Sequence, residues 1–462
     1  MSRCGLTTLA EVAEALGLPA PAGDLPIGDI ATDTRRLTPG SLFVALRGER
    51  FDAHDFLDQA QAAGAVAAVV EAGAMADRSA VPDGLAPLEV ADTRLALGLL
   101  GRARRRAWGG PLVAVTGNSG KTTVKELLAC LLSRRGATLA TRGNLNNDFG
   151  APLTLLELND VHRQAVVELG ANHLGEIAWT SVLAEPTVAV ITNVTGAHVG
   201  EFGGMGRIAQ AKAEILAGLP LDGVAVLNRD DAYFAIWERL AAPREVRDFG
   251  LDPQARVTAT ALACDALGRY AFTLVADGAE LGRVQLGLLG RHNVANALAA
   301  AAAALALGLA ADDVVTGLGD VMPMAGRLSV TVGVNGSRLL DDTYNANPGA
   351  VKAALDLLVT LPGPHWCLLG AMGELGEASE RLHAEIGDHA RKLEIDFLGT
   401  CGEAARAASR AFGAGGCHFQ EREALVRHAL DHLPPGASVL VKGSRSAAME
   451  QVVTALRQDR SR

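Results

Sequence analysis

Val113-Ala114-Val115-Thr116-Gly117-Asn118-Ser119-Gly120-Lys121-Thr122-Thr123 is the stretch on which the reading of this chain turns. An apolar run enters a glycine-rich turn. Val124, Leu127, Leu128, Leu131 and Leu132 then fall on one face of a helix expected over 122–132. Backbone N–H groups of such a turn, together with the N-terminus of the helix behind it, cradle phosphate oxygens. Gly117, Asn118, Ser119, Gly120, Lys121, Thr122 and Thr123 are therefore expected to bind a nucleotide. Lys121 would reach its β- and γ-phosphates and the Thr122 hydroxyl would ligate Mg²⁺. The turn is a T-G-x-x-G-K-T-T variant, because Val115 stands where the usual phosphate-binding loop has its first glycine.

Outward from this loop, the apolar runs 111–116, 165–169, 187–192 and 224–227 read as strands, with helical patterns between them. That alternation predicts a parallel sheet covered on both faces. Alternating segments within 256–290 predict an antiparallel addition. Before this region, 41–46 and 65–70 read as strands, 52–64 as a helix and 81–87 as a surface loop near a boundary. After it, strands are expected at 339–343, 366–371, 395–400 and 438–441. Asn347 should N-cap a helix with Pro348 in its first position. The fold class is thus α/β with three domains. They are a small α/β domain (1–91), a central P-loop mononucleotide-binding parallel-sheet domain (92–322) and a C-terminal Rossmann-like domain (323–462) that lacks a G-x-G-x-x-G fingerprint.

Composition sets limits. A chain of 462 residues spans two to four domains at roughly 100–200 residues each. With 49% hydrophobic and 20% charged residues, each can bury a core. A net charge of -10 argues against coating nucleic acid or an anionic membrane. Six cysteines without paired spacing suggest neither disulfides nor a zinc site. Glu11 and Glu14 interrupt any signal-peptide core. The longest apolar run, 297–311, is mostly alanine and shorter than the ~20 residues of a membrane span. A soluble cytoplasmic enzyme, monomeric and without nucleic-acid or membrane partners, is expected. Of 42 basic residues six are lysines: Lys121, Lys125, Lys212, Lys352, Lys392 and Lys442. In so Arg-rich a chain, a lysine marks a place for a compact or titrating cation. The run Arg102, Arg104, Arg105 and Arg106 reads as a solvated helix face.

Ligands of open parallel sheets collect beyond the carboxyl ends of strands. Glu168 ends one strand and His198 follows another, so both are candidates for Mg²⁺. Lys212 lies on the apolar face made by Ile208, Ile215, Leu216 and Leu219. It either snorkels from the edge of the core or is desolvated, with an amine neutral enough to be modified or to meet a partner charge. Asn293 and Asn296 share a helix face and could bind a purine, while Asn293 could equally N-cap. Arg327 sits in a linker from which it could swing toward a phosphate. The 341–348 and 442–446 segments are polar loops at strand ends.

This ordered set resembles the Mur ligases, ATP-dependent amide-bond-forming enzymes of peptidoglycan synthesis. The resemblance runs through Asp33-Thr34-Arg35, the 39–56 stretch, the phosphate-binding loop, Gly143-Asn144-Leu145-Asn146-Asn147, Glu168-Leu169-Gly170-Ala171-Asn172, the 341–348 loop and Lys442-Gly443-Ser444-Arg445-Ser446. Its nearest type adds D-alanyl-D-alanine to a UDP-linked muramoyl tripeptide. Ligases of this family that add a diamino acid usually carry Asp-Asn-Pro-Arg, which is absent here. The resemblance implies ATP and two Mg²⁺ ions, with Thr122, Glu168, His198 and a carbamoylated Lys212 as metal ligands. Asn293, Asn296, Arg327, Asp342 and Tyr344 would contact ATP. Thr34, Arg35, Arg47, Asp52, His54, Asn144, Asn146, Asn147, Asn345, Asn347, Lys442, Ser444 and Arg445 would bind the other substrates. Lys121, Lys212, His198 and Glu168 would carry the catalysis. Another Mur ligase or a folylpolyglutamate synthase is the rival within the superfamily, and a regulatory P-loop NTPase the rival outside it.

Overall fold

The computed structural model describes residues 4–48, 51–73, 81–195 and 202–458, and the strands among them form three sheets. The first holds β1 (Ile30–Ala31), β2 (Ser41–Val44), β3 (Ala65–Glu71) and β4 (Ala86–Val90), side by side and parallel. Two expectations change here. The 81–87 segment is not only loop. Leu85 and Leu88 are buried and β4 pairs with β3, which Pro87 tolerates because β4 is an edge strand. The helix expected over 52–64 is two pieces. Asp52 caps the 3-10 turn Ala53–Phe56 by accepting from the His54 N–H, and an α-helix follows over Leu57–Ala62.

The central sheet has the order β13-β12-β11-β10-β9-β8-β5-β7-β6. Its strands are β5 (Leu112–Thr116), β6 (Thr138–Ala140), β7 (Gln164–Glu168), β8 (Val188–Ile191), β9 (Val224–Asn228), β10 (Glu245–Phe249), β11 (Val257–Cys264), β12 (Arg269–Ala276) and β13 (Ala279–Leu289). β5 to β11 run parallel, and β12 and β13 are the antiparallel addition. The helix Lys121–Ser133 buries Leu127, Leu128, Leu131 and Leu132, each contributing roughly 1.5–3 kcal/mol. It packs beside the helix His292–Ala306, in which Ala297 and Ala299 to Ala304 are all buried. Their small side chains let this helix lie close to both the sheet and its neighbour. The long alanine run is thus core, not a membrane segment. No described helix is long and apolar enough to cross a membrane.

The basic run is only partly a solvated face: Arg106 is exposed and Arg102 half-buried. It ends the helix Thr93–Trp108, where Arg104 and Arg105 are buried. Arg105 Nε donates to the Ala184 carbonyl at 2.8 Å and its Nη2 to the Glu185 carbonyl at 2.9 Å. These are terminal carbonyls of the helix Glu176–Ala184, where a cation meets the negative end of the helix dipole. Arg102 and Arg106 both pair with the Glu185 carboxylate. The sequence pattern showed a charge run; it did not show the helix end that receives it.

The third sheet has the order β14-β15-β19-β16-β17-β18, with β14 (Ser329–Val332) antiparallel to β15 (Arg338–Asp342). β16 (His365–Gly370), β17 (Phe397–Cys401), β18 (Gly416–Phe419) and β19 (Ser438–Lys442) run parallel to β15. Asn347 caps the helix Pro348–Leu358, its side-chain oxygen accepting from the Ala350 N–H at 2.9 Å, with Pro348 in the first position. All six cysteines are free.

Candidate active site

Glycine is required twice in the turn after β5. A Cβ on Gly117 would stand 1.9 Å from Thr192 Oγ1, and one on Gly120 would stand 2.3 Å from Asn296 Oδ1 at a φ of +82°. The loop is held from the strand ends beside it. The Asn118 and Ser119 N–H groups donate to the Asn193 carbonyl and Oδ1 at 2.9 and 3.0 Å. Thr192 Oγ1 and Asn193 Nδ2 donate to the Ser119 carbonyl at 2.7 and 3.1 Å. Lys121 folds back onto the loop, its Nζ 2.8 Å from the Gly117 carbonyl. Burial pushes its pKa down and the Glu168 carboxylate opposes that shift.

A cavity of about 880 Å³ lies between the carboxyl ends of the central and third sheets. The central sheet contributes Asn118 to Thr123, Asn144, Asn146, Asn147, Glu168, Lys212, Asn293 and Asn296 to its wall. The third contributes Asp342, Tyr344, Asn345, Asn347, Lys442 and Arg445, and Arg327 enters from the linker between them. These residues are separated by up to several hundred positions and meet because parallel strands deliver their loops to one edge. Gly117 and Ser444 do not line it, and Ser444 Oγ donates to the Ala371 carbonyl at 2.7 Å.

Among the described residues, Arg327 of the linker and Asn347 after the third sheet's β15 each bond to the central domain across the cavity. Arg327 Nη2 donates to Thr122 Oγ1 at 3.0 Å while its guanidinium lies 4.1 Å over the Tyr344 ring. Asn347 Nδ2 donates to Ser119 Oγ at 3.2 Å, so one side chain caps a helix and touches the phosphate-binding loop. Arg327, expected to swing toward a phosphate, thus reaches Thr122 of the phosphate-binding loop. Lys442 pairs with Asp342 in the buried rear wall and donates to the Asn345 carbonyl at 3.0 Å.

Glu168 is held at one oxygen only. Asn146 Nδ2 donates to Oε1 at 2.8 Å, while Oε2 is buried with no hydrogen-bond partner. An orphaned carboxylate oxygen beside a cavity that also exposes Thr122 suits a hard cation shared with phosphate oxygens. Among the described residues no three His, Cys, Asp or Glu side chains converge as a ready-made metal cluster. His198 lies outside the described residues.

Lys212 ends the helix Met205–Ala213 and is 2% exposed, so the snorkelling alternative is excluded. Burial lowers its pKa to about 7, helped by the neighbouring Lys121 charge. Asn293 does not N-cap. It lies inside its helix, donates to the Leu289 carbonyl at 2.7 Å and accepts from Asn296 Nδ2 at 2.8 Å.

The residues of the first sheet stand apart from this cavity. Arg35 is exposed and grips Asp33 with two parallel bonds, which hold the Asp33 carboxyl down at about 2. Thr34 begins the same short turn. Arg47 pairs with Asp52 and Glu71 at 3.0 and 3.2 Å. The His54 ring is wholly buried, with Nδ1 on Asp52 at 2.6 Å and Nε2 accepting the Glu71 N–H at 3.0 Å. Neither ring nitrogen is left for a ligand, so His54 acts on this surface by holding Asp52 and β3. Sequence reasoning gave no role to Thr192 and Asn193, which shape the loop; their only signal was their place at a strand end. It also passed over His292 and Glu374, which line the cavity.

Three family models match the chain in order. Residues 26–105 match the Mur ligase family catalytic domain, 115–304 the Mur ligase middle domain, and 326–445 the Mur ligase glutamate ligase domain. The UDP-N-acetylmuramoyl-tripeptide–D-alanyl-D-alanine ligase of Escherichia coli (strain K12) is 43% identical over 455 residues, covering 98% of each chain. The crystal structure of MurF from Acinetobacter baumannii superposes with a TM-score of 0.87 at 38% identity, covering 96% of this chain and 97% of that one. MurF ligase from Thermotoga maritima in complex with ADP superposes with a TM-score of 0.82 at 28% identity, covering 92% and 96%.

Proposed function

The chain belongs to the Mur ligase family, and from that premise we propose that it joins D-alanyl-D-alanine to UDP-N-acetylmuramoyl-tripeptide, converting ATP to ADP and phosphate. The observation that carries this reading is the shared cavity. A phosphate-binding loop, an orphaned carboxylate oxygen and a buried lysine of low pKa face polar loops from a second sheet.

A carboxylate resists attack by an amine because its leaving group would be oxide. In the proposed reaction the tripeptide carboxylate oxygen attacks the γ-phosphorus of ATP. ADP leaves and an acyl phosphate forms. The dipeptide amine then adds to the acyl carbon, loses a proton, and expels phosphate as the amide forms. Lys121 and Arg327 offset the repulsion between the carboxylate and the γ-phosphate. The N–H groups of the loop orient the phosphates, and Asn293, Asn296, Asp342 and Tyr344 hold the nucleoside. Two Mg²⁺ ions, held by Thr122, Glu168, His198 and a carbamoylated Lys212, would neutralise developing phosphate charge when bound. The neutral amine of a lysine titrating near 7 is the form that reacts with CO₂, which supports the carbamate. Closure of the domains over the substrates protects the acyl phosphate from water.

The proposed division of labour follows the three sheets. Residues 1–91 take the UDP-sugar through Thr34, Arg35, Arg47 and Asp52, with His54 bracing them. Residues 92–322 take ATP, with Asn144, Asn146 and Asn147 toward the tripeptide. Residues 323–462 take the dipeptide through Asn345, Asn347, Lys442, Ser444 and Arg445. The enzyme is proposed to act in the cytoplasm as a monomer on small-molecule substrates.

ADP release measured with each substrate omitted in turn tests the reading. It should require ATP, tripeptide and dipeptide together. Equal release without tripeptide and dipeptide would instead favour a nucleotide hydrolase.

A further inference from the structure

Among the lysines that have no part in the chemistry above, one is as deeply buried as Lys212. Lys125 stands one helical turn after Lys121, is 2% exposed, and does not line the cavity. Its Nζ donates to the Thr141 carbonyl at 2.8 Å and pairs with the Glu126 carboxylate. Thr141 is buried just after β6. Its N–H donates to the Val166 carbonyl at 3.1 Å, and its hydroxyl accepts the backbone N–H of Glu168 at 3.0 Å. Glu168 is then gripped a second time by Asn146 at Oε1, and Oε2 alone remains without a partner.

A buried ammonium is costly to desolvate, and an apolar side chain would fill the same space without that cost. What the ammonium adds is a charge-assisted bond to the carbonyl of the residue whose hydroxyl holds the Glu168 backbone. A guanidinium would not serve. Its five N–H groups need more acceptors than the one carbonyl and one carboxylate found here. This accounts for a lysine in a chain that otherwise uses arginine.

We propose that Lys125 and Thr141 form a positioning relay that sets the direction of the free Glu168 oxygen into the cavity, and through it the affinity of the site for a divalent cation. Outer partners of metal-binding carboxylates set ligand orientation in this way, and their loss typically costs about 10–100-fold in metal affinity. The inference rests on the reading of Glu168 as a metal ligand.

The test is Mn²⁺ binding to the ADP complex of the full chain, followed by electron paramagnetic resonance, with ADP affinity measured separately without metal. Lys125→Met and Thr141→Val should each weaken Mn²⁺ binding about tenfold while metal-free ADP affinity stays within about twofold. Thr141→Ser, which keeps the hydroxyl, should bind Mn²⁺ as the parent does. Because the two residues act in series, the double variant should be no weaker than the weaker single variant. Unchanged Mn²⁺ affinity in Thr141→Val, or losses that multiply in the double variant, would overturn the relay. If Lys125→Met does not fold, the Thr141→Val and Thr141→Ser pair decides the matter. Glu168→Gln separates the two readings. If it binds Mn²⁺ normally, the ligand assignment itself fails. If it alone loses Mn²⁺, Glu168 is a ligand but the relay is wrong.

Discussion

The arginine run at the end of the Thr93–Trp108 helix and the lysines around the phosphate-binding loop both include buried cations, set against different surroundings. Arg105 rests on two carbonyls at a helix end, and Arg102 and Arg106 share one carboxylate. Lys121 and Lys212 instead face the cavity, where Glu168 keeps an unpartnered oxygen. Burial of a cation therefore does not by itself mark a functional site. What sets Lys121 and Lys212 apart is the polar cavity they line, which has room for the charge that a ligand brings.

The comparison predicts that variants in the two places fail in different ways. Lys121→Ala should reduce ligase turnover by about 10³-fold or more, since charge neutralisation at the phosphates is lost. Its denaturation midpoint should stay near the parent value, because Lys121 bonds only loop carbonyls. Near-normal turnover would end the distinction. Lys212→Ala should lose about 10–100-fold, and Lys212→Arg should recover none of it, because an arginine cannot become a carbamate. Adding a short carboxylic acid to Lys212→Ala should restore part of the rate, and mass spectrometry under CO₂ should find the adduct on the parent protein. A fully active Lys212→Arg would show that only positive charge matters there.

Arg105→Met should behave in the opposite sense. Losing charged bonds to two helix-end carbonyls should cost about 1.5–3 kcal/mol in urea unfolding, with KM for ATP unchanged. A change in KM without a change in stability would mean that this run also serves the site. The smallest effect is expected at the seam between the two sheets. Asn347→Ala removes a helix cap worth about 1 kcal/mol and the bond to Ser119. It should lower stability slightly and raise KM for ATP, whereas Asn347→Asp should keep the cap and lose only the bond to Ser119. Parent-like kinetics in both variants would mean that the contact with Ser119 does not matter.

Legibility differed from element to element for one physical reason. The loop after β5 could be read because strand, glycines, lysine and helix are consecutive, so local backbone demands appear in local order. Asn347 and Pro348 were legible as a helix start on the same ground. The 81–87 segment was misread because edge pairing overrides the usual meaning of proline and glycine. The capping alternative for Asn293 fails because the helix begins at His292, with Arg291 at the cap position, and the Asn293 amide turns to Leu289 and Asn296. The arginine run was misread because the helix end it meets lies about eighty positions away in the chain.

The sequence by itself determined the α/β class, the parallel central sheet, the nucleotide loop and the set of polar segments at strand ends. Each of these follows from periodicity or from residues a few positions apart. Tertiary structure alone decided that Lys125 reaches Glu168 through Thr141, that Arg327 meets the loop from the linker and Asn347 from beyond the third sheet, and that His54 has no free nitrogen. Such contacts depend on where strands are ordered within and between sheets. That order is set by the packing of whole faces, not by any short stretch of residues.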